Sequence, residues 1–509
     1  MVKSTQVWRR AKQQGIGQAQ VADLVKTADE NMAKLSNLQN GQHNQKDIVF
    51  SGGLLSELAA TLHDDSHIIV KSTDIKIDKA LQLHANNISI DFGKAKLSPT
   101  KDYLQGLPQQ NYNAAIQVID AKGVTIEGGV FDGLEAIVTA HSSAVTITHI
   151  AVKGFKGYGV IVGPDSSAVA ISNSDFVGGV ASAIAVLQKT ENVLIKQNII
   201  RDGTGGSNQH AGILVTDRRK YTSIGGPDFL LAATKLQDGK AVYHGVADDP
   251  IVQKTTPPKN IYIVANQISK NLSSGIYVDG ATLTYIASNS IVGNSKEGLC
   301  LDNGATGNVV VDNKIESNGA RWGKTDLDLS LDFVLRFGRS TDGSANAKLP
   351  GISVDNAVLN IISSNHIAKN AGSGIKLVRT GYYNIIGHNL IADNNAGANK
   401  KFFFFGIELG GAPADNPVSD LDFQPSMGNI IFQNVITGSH YSGIQFCPKC
   451  EFNDVFDNTI INPNHWAIEQ NAKGEKNIFN NNFSQQKSRN ANLNGTSGKI
   501  LIGGDDIED

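Results

Sequence analysis

An asparagine that returns every 23 to 24 residues restricts this chain more than any other feature. The frame around it reads apolar, any residue, apolar, two residues, Asn, any residue, apolar. "NVLIKQNII" carries it at Asn198, "NIYIVANQI" at Asn266, "LTYIASNSI" at Asn289 and "NVVVDNKI" at Asn313. It returns at Asn365, Asn389, Asn434 and Asn458, and "NIFNNNF" closes the series with Asn481 as anchor. Upstream the same frame holds with Gly93, Gly129, Ile150 and Ser174 in the anchor place. From 174 to 198 and from 289 to 313 the step is 24, and from 266 to 289 it is 23. The longer gaps, 198 to 266, 313 to 365 and 389 to 434, each read as one coil with an insertion. A fixed period of this length marks a solenoid, and strand-type fragments make it a β-solenoid.

The anchor has a physical reading. Each coil turns a corner between two short strands, and Asn tolerates the left-handed conformation better than other non-Gly residues. Stacked coil on coil, Asn side chains also bond to one another as a ladder. A second motif, Gly-apolar-x-apolar, precedes most anchors: "GVIVG" (159–163), "GILVTD" (212–217), "GIYVDG" (275–280) and "GLCLDN" (298–303). It continues as "GISVDN", "GIKLVR", "GIELGG" and "GIQFCP". Strand alternation sends its two apolar residues inward and the others outward. Three short strands per coil are expected.

Composition narrows the partners. The chain has 509 residues, 40% hydrophobic and 18% charged, with a net charge of -3. That balance has no dominant basic stripe, so nucleic acid is not an expected partner. No apolar run reaches the roughly 20 residues that a membrane span needs. The opening "MVKSTQVWRRAKQQ" is charged with no apolar segment after it, so no signal peptide is expected here. Action outside the cytoplasm would then require a leader removed earlier.

With this period, three-strand coil and Asn corner, the chain resembles the right-handed parallel β-helix proteins of the pectate-lyase-like class. The resemblance implies an all-β fold: a single-stranded right-handed parallel β-helix over 68–485, interrupted near 217–259, 319–350 and 396–428. Residues 1–67 form an N-terminal segment and 486–509 a tail expected to be mobile. Within 17–38, Val21, Leu24, Val25, Ala28, Met32 and Leu35 share one helical face. That predicts an N-terminal capping α-helix plugging the open end of the core. The class includes polysaccharide lyases, polygalacturonase-type hydrolases, alginate epimerases and phage tailspike depolymerases.

Equal positions of the repeated strand form columns about 4.8 Å apart from coil to coil. One outward column carries Thr216, Asp279, Asp302 and Asp355 in succession. A second carries Tyr277, Cys300, Ser353, Lys376, Glu408 and Gln445, with Arg379 three residues past Lys376. The resemblance puts the substrate groove on this face. Three stacked carboxylates repel unless a cation, a raised pKa or a pairing with Lys376 and Arg379 relieves them. Calcium is the cation such a column would take, although the pattern does not demand a cofactor. The alternative is structural, because Asp-Gly and Asp-Asn dipeptides at strand ends also cap turns. Asp217, Arg218 and Arg219 open the first insertion and would grip a carboxylate or sulfate. His210 and His440 precede strands as acid/base candidates. The alternating stretch 326–339, ending in Arg336 and Arg339, would add a strand to the groove wall, and "KKFFFFG" (400–406) would offer aromatic faces.

The expected function is cleavage of a polysaccharide or oligosaccharide along the groove. In a hydrolase two of Asp279, Asp302 and Asp355 act as acid and base or nucleophile. In a lyase or epimerase Lys376, Arg379 or Tyr277 takes the C5 proton of a uronate. The alternative is a non-catalytic glycan-binding or structural β-helix. A tailspike-like protein would trimerise, whereas the enzyme readings allow a monomer or another homo-oligomer.

Overall fold

The structure is a computed structural model. It describes residues 26–27, 30–35, 45–106, 114–205, 210–217, 235–237, 240–242, 256–320, 349–378, 381–394, 404–410, 426–438, 440–446, 450–470, 477–485, 491–493, 497–502 and 505–507. Within them the chain winds as a right-handed parallel β-helix. The Gly-apolar-x-apolar strands stack into a 14-stranded sheet from Leu81–Leu83 to Ala491–Leu493. The strands before and after each Asn stack into two further parallel columns. Strands that follow Ala rather than Gly, such as Ile116–Ile119, Ile137–Ala140, Ile184–Val186 and Ile468–Gln470, join the same sheet.

The lumen is filled by columns of like residues. Ile276, Leu299, Ile352, Ile375, Ile407, Ile444 and Ile468 lie in register, each buried. Branched aliphatic side chains repeat well at this spacing because each fits the gap left by its copy one coil away.

The ladder runs from Asn198 through Asn266, Asn289, Asn313, Asn365, Asn389, Asn434 and Asn458. Two expectations are corrected here. The last rung is Asn482, not Asn481. The left-handed residue is the one before each anchor: Gln197, Ala265, Ser288, Asp312, Ser364, His388, Gln433, Asp457 and Asn481. The Asn is held in place by its amide, whose carbonyl accepts the next-lower backbone N–H while its NH2 reaches the next rung. Two more ladders flank this one, Asn308–Asn360–Asn384–Asn429–Asn453–Asn477 and Asn271–Asn294–Asn318–Asn370–Asn394. Their signal was present as Asn at five-residue steps, as in Asn308, Asn313 and Asn318.

The cap differs too. Helical residues 30–35 lie against the side of the solenoid, where Asn31 donates to Tyr262 Oη at 3.1 Å and Leu35 is buried. Leu55–Ala59 is instead the short helix whose Leu55 and Leu58 join the N-terminal end of the main core. Leu35 packs there because a second outward column, Leu194, Tyr262, Tyr285, Val309, Ile361 and Ile385, is apolar. Parallel pairing already joins Lys46–Phe50 to Ser66–Val70. The tail expected to be mobile carries Ser497–Ile502, paired with Ile478–Gln485. The interval 396–428 contains the strand Ile407–Leu409.

Candidate functional site

Register fixes the Asp column. Thr216 lies beside Asp279, Asp279 beside Asp302, Asp302 beside Asp355, and Asp355 beside Val378. Likewise Tyr277, Cys300, Ser353, Lys376, Glu408 and Gln445 follow one another without a slip. These side chains point away from the lumen because the residues between them, such as Val278 and Leu301, belong to the core.

The three aspartates have different surroundings. Thr216 donates to Asp279 Oδ2 at 3.1 Å and Asn303 to Asp279 Oδ1 at 2.9 Å. Asp279 is therefore tied at both oxygens. Asp302 accepts a hydrogen bond from the Tyr277 hydroxyl one coil away. Lys376 Nζ pairs with Glu408 Oε1 at 2.7 Å, and Ser373 donates to Glu408 Oε2 at 2.8 Å. Neutral donors thus meet Asp279 and Asp302, and a cation meets Glu408. Among the described residues no group of three His, Cys, Asp or Glu side chains could hold a metal ion.

Two further expectations change. The column is not an open face: Asp279, Asp302 and Asp355 are 6%, 0% and 2% exposed. Tyr277, Cys300 and Ser353 are buried with them. Lys376 was one of three residues, with Arg379 and Tyr277, expected to take the proton of a uronate in a lyase or epimerase. An ammonium engaged by a carboxylate must give up that pair before it can take a proton, so its place suits charge recognition better.

The remaining candidates separate. His210 sits at the entry edge of its strand, whereas Thr216 and the aspartates sit at the exit edge. Asp217 lies beside Gly280, where a Cβ would come within 2.3 Å of its carboxyl. His440 is buried and its Nε2 donates to Ile391 O at 3.3 Å; burial pushes its pKa down to about 4, so the imidazole is neutral near neutral pH. Arg218, Arg219, Arg379 and the stretch 326–339 lie outside the described residues.

Residues 255–412, which include Asp279, Asp302, Asp355 and Lys376, match the family model described as the right handed beta helix region. This segment is a right-handed β-helix. No curated protein matches the chain. Among solved structures, the periplasmic alginate epimerase AlgG is 14% identical, with 91% of this chain and 88% of that one covered and a TM-score of 0.46. A PL6 family polysaccharide lyase from Pseudopedobacter saltans is 13% identical over 88% and 94% of the two chains, TM-score 0.44. The tailspike protein of E. coli bacteriophage HK620, solved with a pentasaccharide, is 11% identical over 88% and 75%, TM-score 0.49. At such identities a likeness carries no chemistry from one protein to another.

Proposed function

We propose that this protein is a carbohydrate-active enzyme that cleaves a polysaccharide, with Asp302 and Asp355 as the reacting carboxylates. The observation that carries the reading is the bond from Tyr277 to Asp302 within a column of carboxylates. A phenol donating to a carboxylate favours its ionised form, which is what a nucleophile requires. Asp355 is the register partner of Asp302 on the next coil, which makes it the second carboxylate of the pair. Neighbouring coils set the two residues about 4.8 Å apart along the axis, a spacing that suits the roughly 5 Å carboxyl separation of retaining glycoside hydrolysis. Asp302 would attack the anomeric carbon while Asp355 gives its proton to the departing glycosidic oxygen. Asp355 would then take a proton from water as that water displaces Asp302. Lys376, one coil beyond Asp355, would meet an acidic group on the substrate.

Burial of the column strengthens its electrostatics and requires the face to open before a polymer enters. The apolar outward column of Tyr262, Tyr285, Val309, Ile361 and Ile385 is buried within the single chain, which favours a monomer over a trimer. A second reading has one observation in its favour. The Tyr277–Asp302 bond also suits a tyrosine base in lyase or epimerase chemistry on a uronate. Incubation with a polysaccharide panel tests both. New reducing ends with retained anomeric configuration support hydrolysis, unsaturated-uronate absorbance supports the lyase, and an inert panel overturns both.

A further inference from the structure

Beyond Lys376, Glu408, Gln445 and Glu469 stay buried, whereas the entry edge of their strands is accessible. Phe404, Tyr441, His465 and Trp466 are half-buried there, in contrast to the covered Asp column. Backbone bonds set the first three above one another: Tyr441 N donates to Phe404 O at 2.8 Å and His465 N to Tyr441 O at 2.6 Å. Tyr441 and His465 stack with centroids 4.5 Å apart and planes within 24°. That separation is close to the coil rise of about 4.8 Å, so these rings stand across the helix axis. Trp466 is turned 71° from His465 with centroids 5.0 Å apart, so its plane runs along the axis. Beside it, Glu469 Oε2 accepts from Ser442 Oγ at 2.5 Å and lies 3.8 Å from His465 Nδ1. The neighbouring charges are accounted for: Glu469 belongs to the outward column that holds Lys376, Glu408 and Gln445.

We infer that Trp466, packed on His465, which in turn stacks on Tyr441, is a stacking platform for a pyranose ring. The inference rests on the proposed glycan-cleaving function and extends it to a second binding position. A sugar chain lying along the solenoid presents its ring faces parallel to the axis, which is the orientation of Trp466 and not of the rings stacked beneath it. The apolar C–H face of a sugar packs on an aromatic face, while its edge carries hydroxyls that bond to polar groups. Glu469 is set two residues into its strand from Ala467, on the same outward side as Lys376. The column runs from the Lys376 ammonium to Glu469, three coils on and three residues past the Trp466 platform. The ligand class is an oligosaccharide of several residues, since a single sugar cannot reach both.

The test separates binding from cleavage. Full-length Asp302→Asn protein is titrated with hexasaccharides of mannuronate, galacturonate and glucose, following tryptophan fluorescence and calorimetric heat. At least one hexasaccharide should bind, and Trp466→Ala on that background should weaken it by about tenfold, the scale of one aromatic contact. Trp466→Phe should restore most of the affinity, which a general loss of folding would not. Equal affinities of the Trp466→Ala and parent proteins would overturn the platform while leaving the cleavage reading standing. Binding that depends on Trp466 in a protein that cleaves nothing would uphold the platform and sink the proposed chemistry. No binding by any of the three hexasaccharides would overturn the platform.

Discussion

Tyr277 gives its phenolic hydrogen to Asp302, the aspartate one coil further along and two residues past the register partner of the tyrosine, Cys300. The bond is diagonal across the strands. It singles out Asp302 from its neighbours, since Asp279 is held by Thr216 and Asn303 instead. Tyr277→Phe should therefore leave the fold intact and lower turnover by about 10 to 100-fold, while Asp302→Asn should lower it by several orders of magnitude. Asp279→Asn should chiefly affect stability. Initial rates on the substrate found by the panel check all three, and equal losses for Asp279→Asn and Asp302→Asn would refute the division of roles.

The Lys376–Glu408 pair is largely buried, at 15% and 8% side-chain exposure. Removing one partner strands the other charge, so Lys376→Ala should destabilise by about 3 kcal/mol. Lys376→Met with Glu408→Leu should recover most of that loss. Activity on an acidic polysaccharide should fall in both. Denaturant melts compared with rates separate the two effects, and full activity of the double variant would remove Lys376 from substrate recognition.

Asn313 spans three coils through its side chain: Oδ1 accepts from the Asn289 backbone and amide, and Nδ2 donates to Asn365 Oδ1 and Ile286 O. Asn313→Leu orphans several buried groups together and should cost about 3 kcal/mol or more. The corner strain lies one residue earlier. Gln433→Gly should be tolerated and Gln433→Val should cost about 1–2 kcal/mol, since a β-branched residue fits a positive φ poorly. Thermal melts that rank Gln433→Val with Gln433→Gly would contradict this.

Glu135 is fully buried, its Oε1 accepting from Tyr158 N at 3.1 Å, and burial raises it from the ordinary 4.5 to about 7. The protonated form is favoured on folding, so its stabilisation is complete below about pH 4.5 and lost as pH rises through about 7. The loss amounts to about 3 kcal/mol. Glu135→Gln should flatten stability between those limits and raise it at pH 8. His440, pushed down to about 4, acts in the opposite sense and costs stability as pH falls from 6.5. Urea midpoints across pH 4 to 8 for parent and Glu135→Gln check the sign, and parallel curves would disprove it.

The solenoid was legible because its code is local and repeated. A side chain that recurs at one place in every coil meets its own copy, so the period of Asn266, Asn289 and Asn313 states the contact directly. The Asp and Lys columns were legible for the same reason, as strand register simply carries the period forward. What the period does not contain is anything between unlike parts of the chain. That residues 30–35 would lie along the side at Tyr262 and Leu55–Ala59 at the end depends on which apolar surface each helix meets. The choice among Asp279, Asp302 and Asp355, identical in their repeats, came from Thr216, Tyr277 and Asn303, donors on different coils whose reach only the packed structure sets. Burial of the column was likewise decided by tertiary structure, because alternation tells which way a side chain points and not what lies over it.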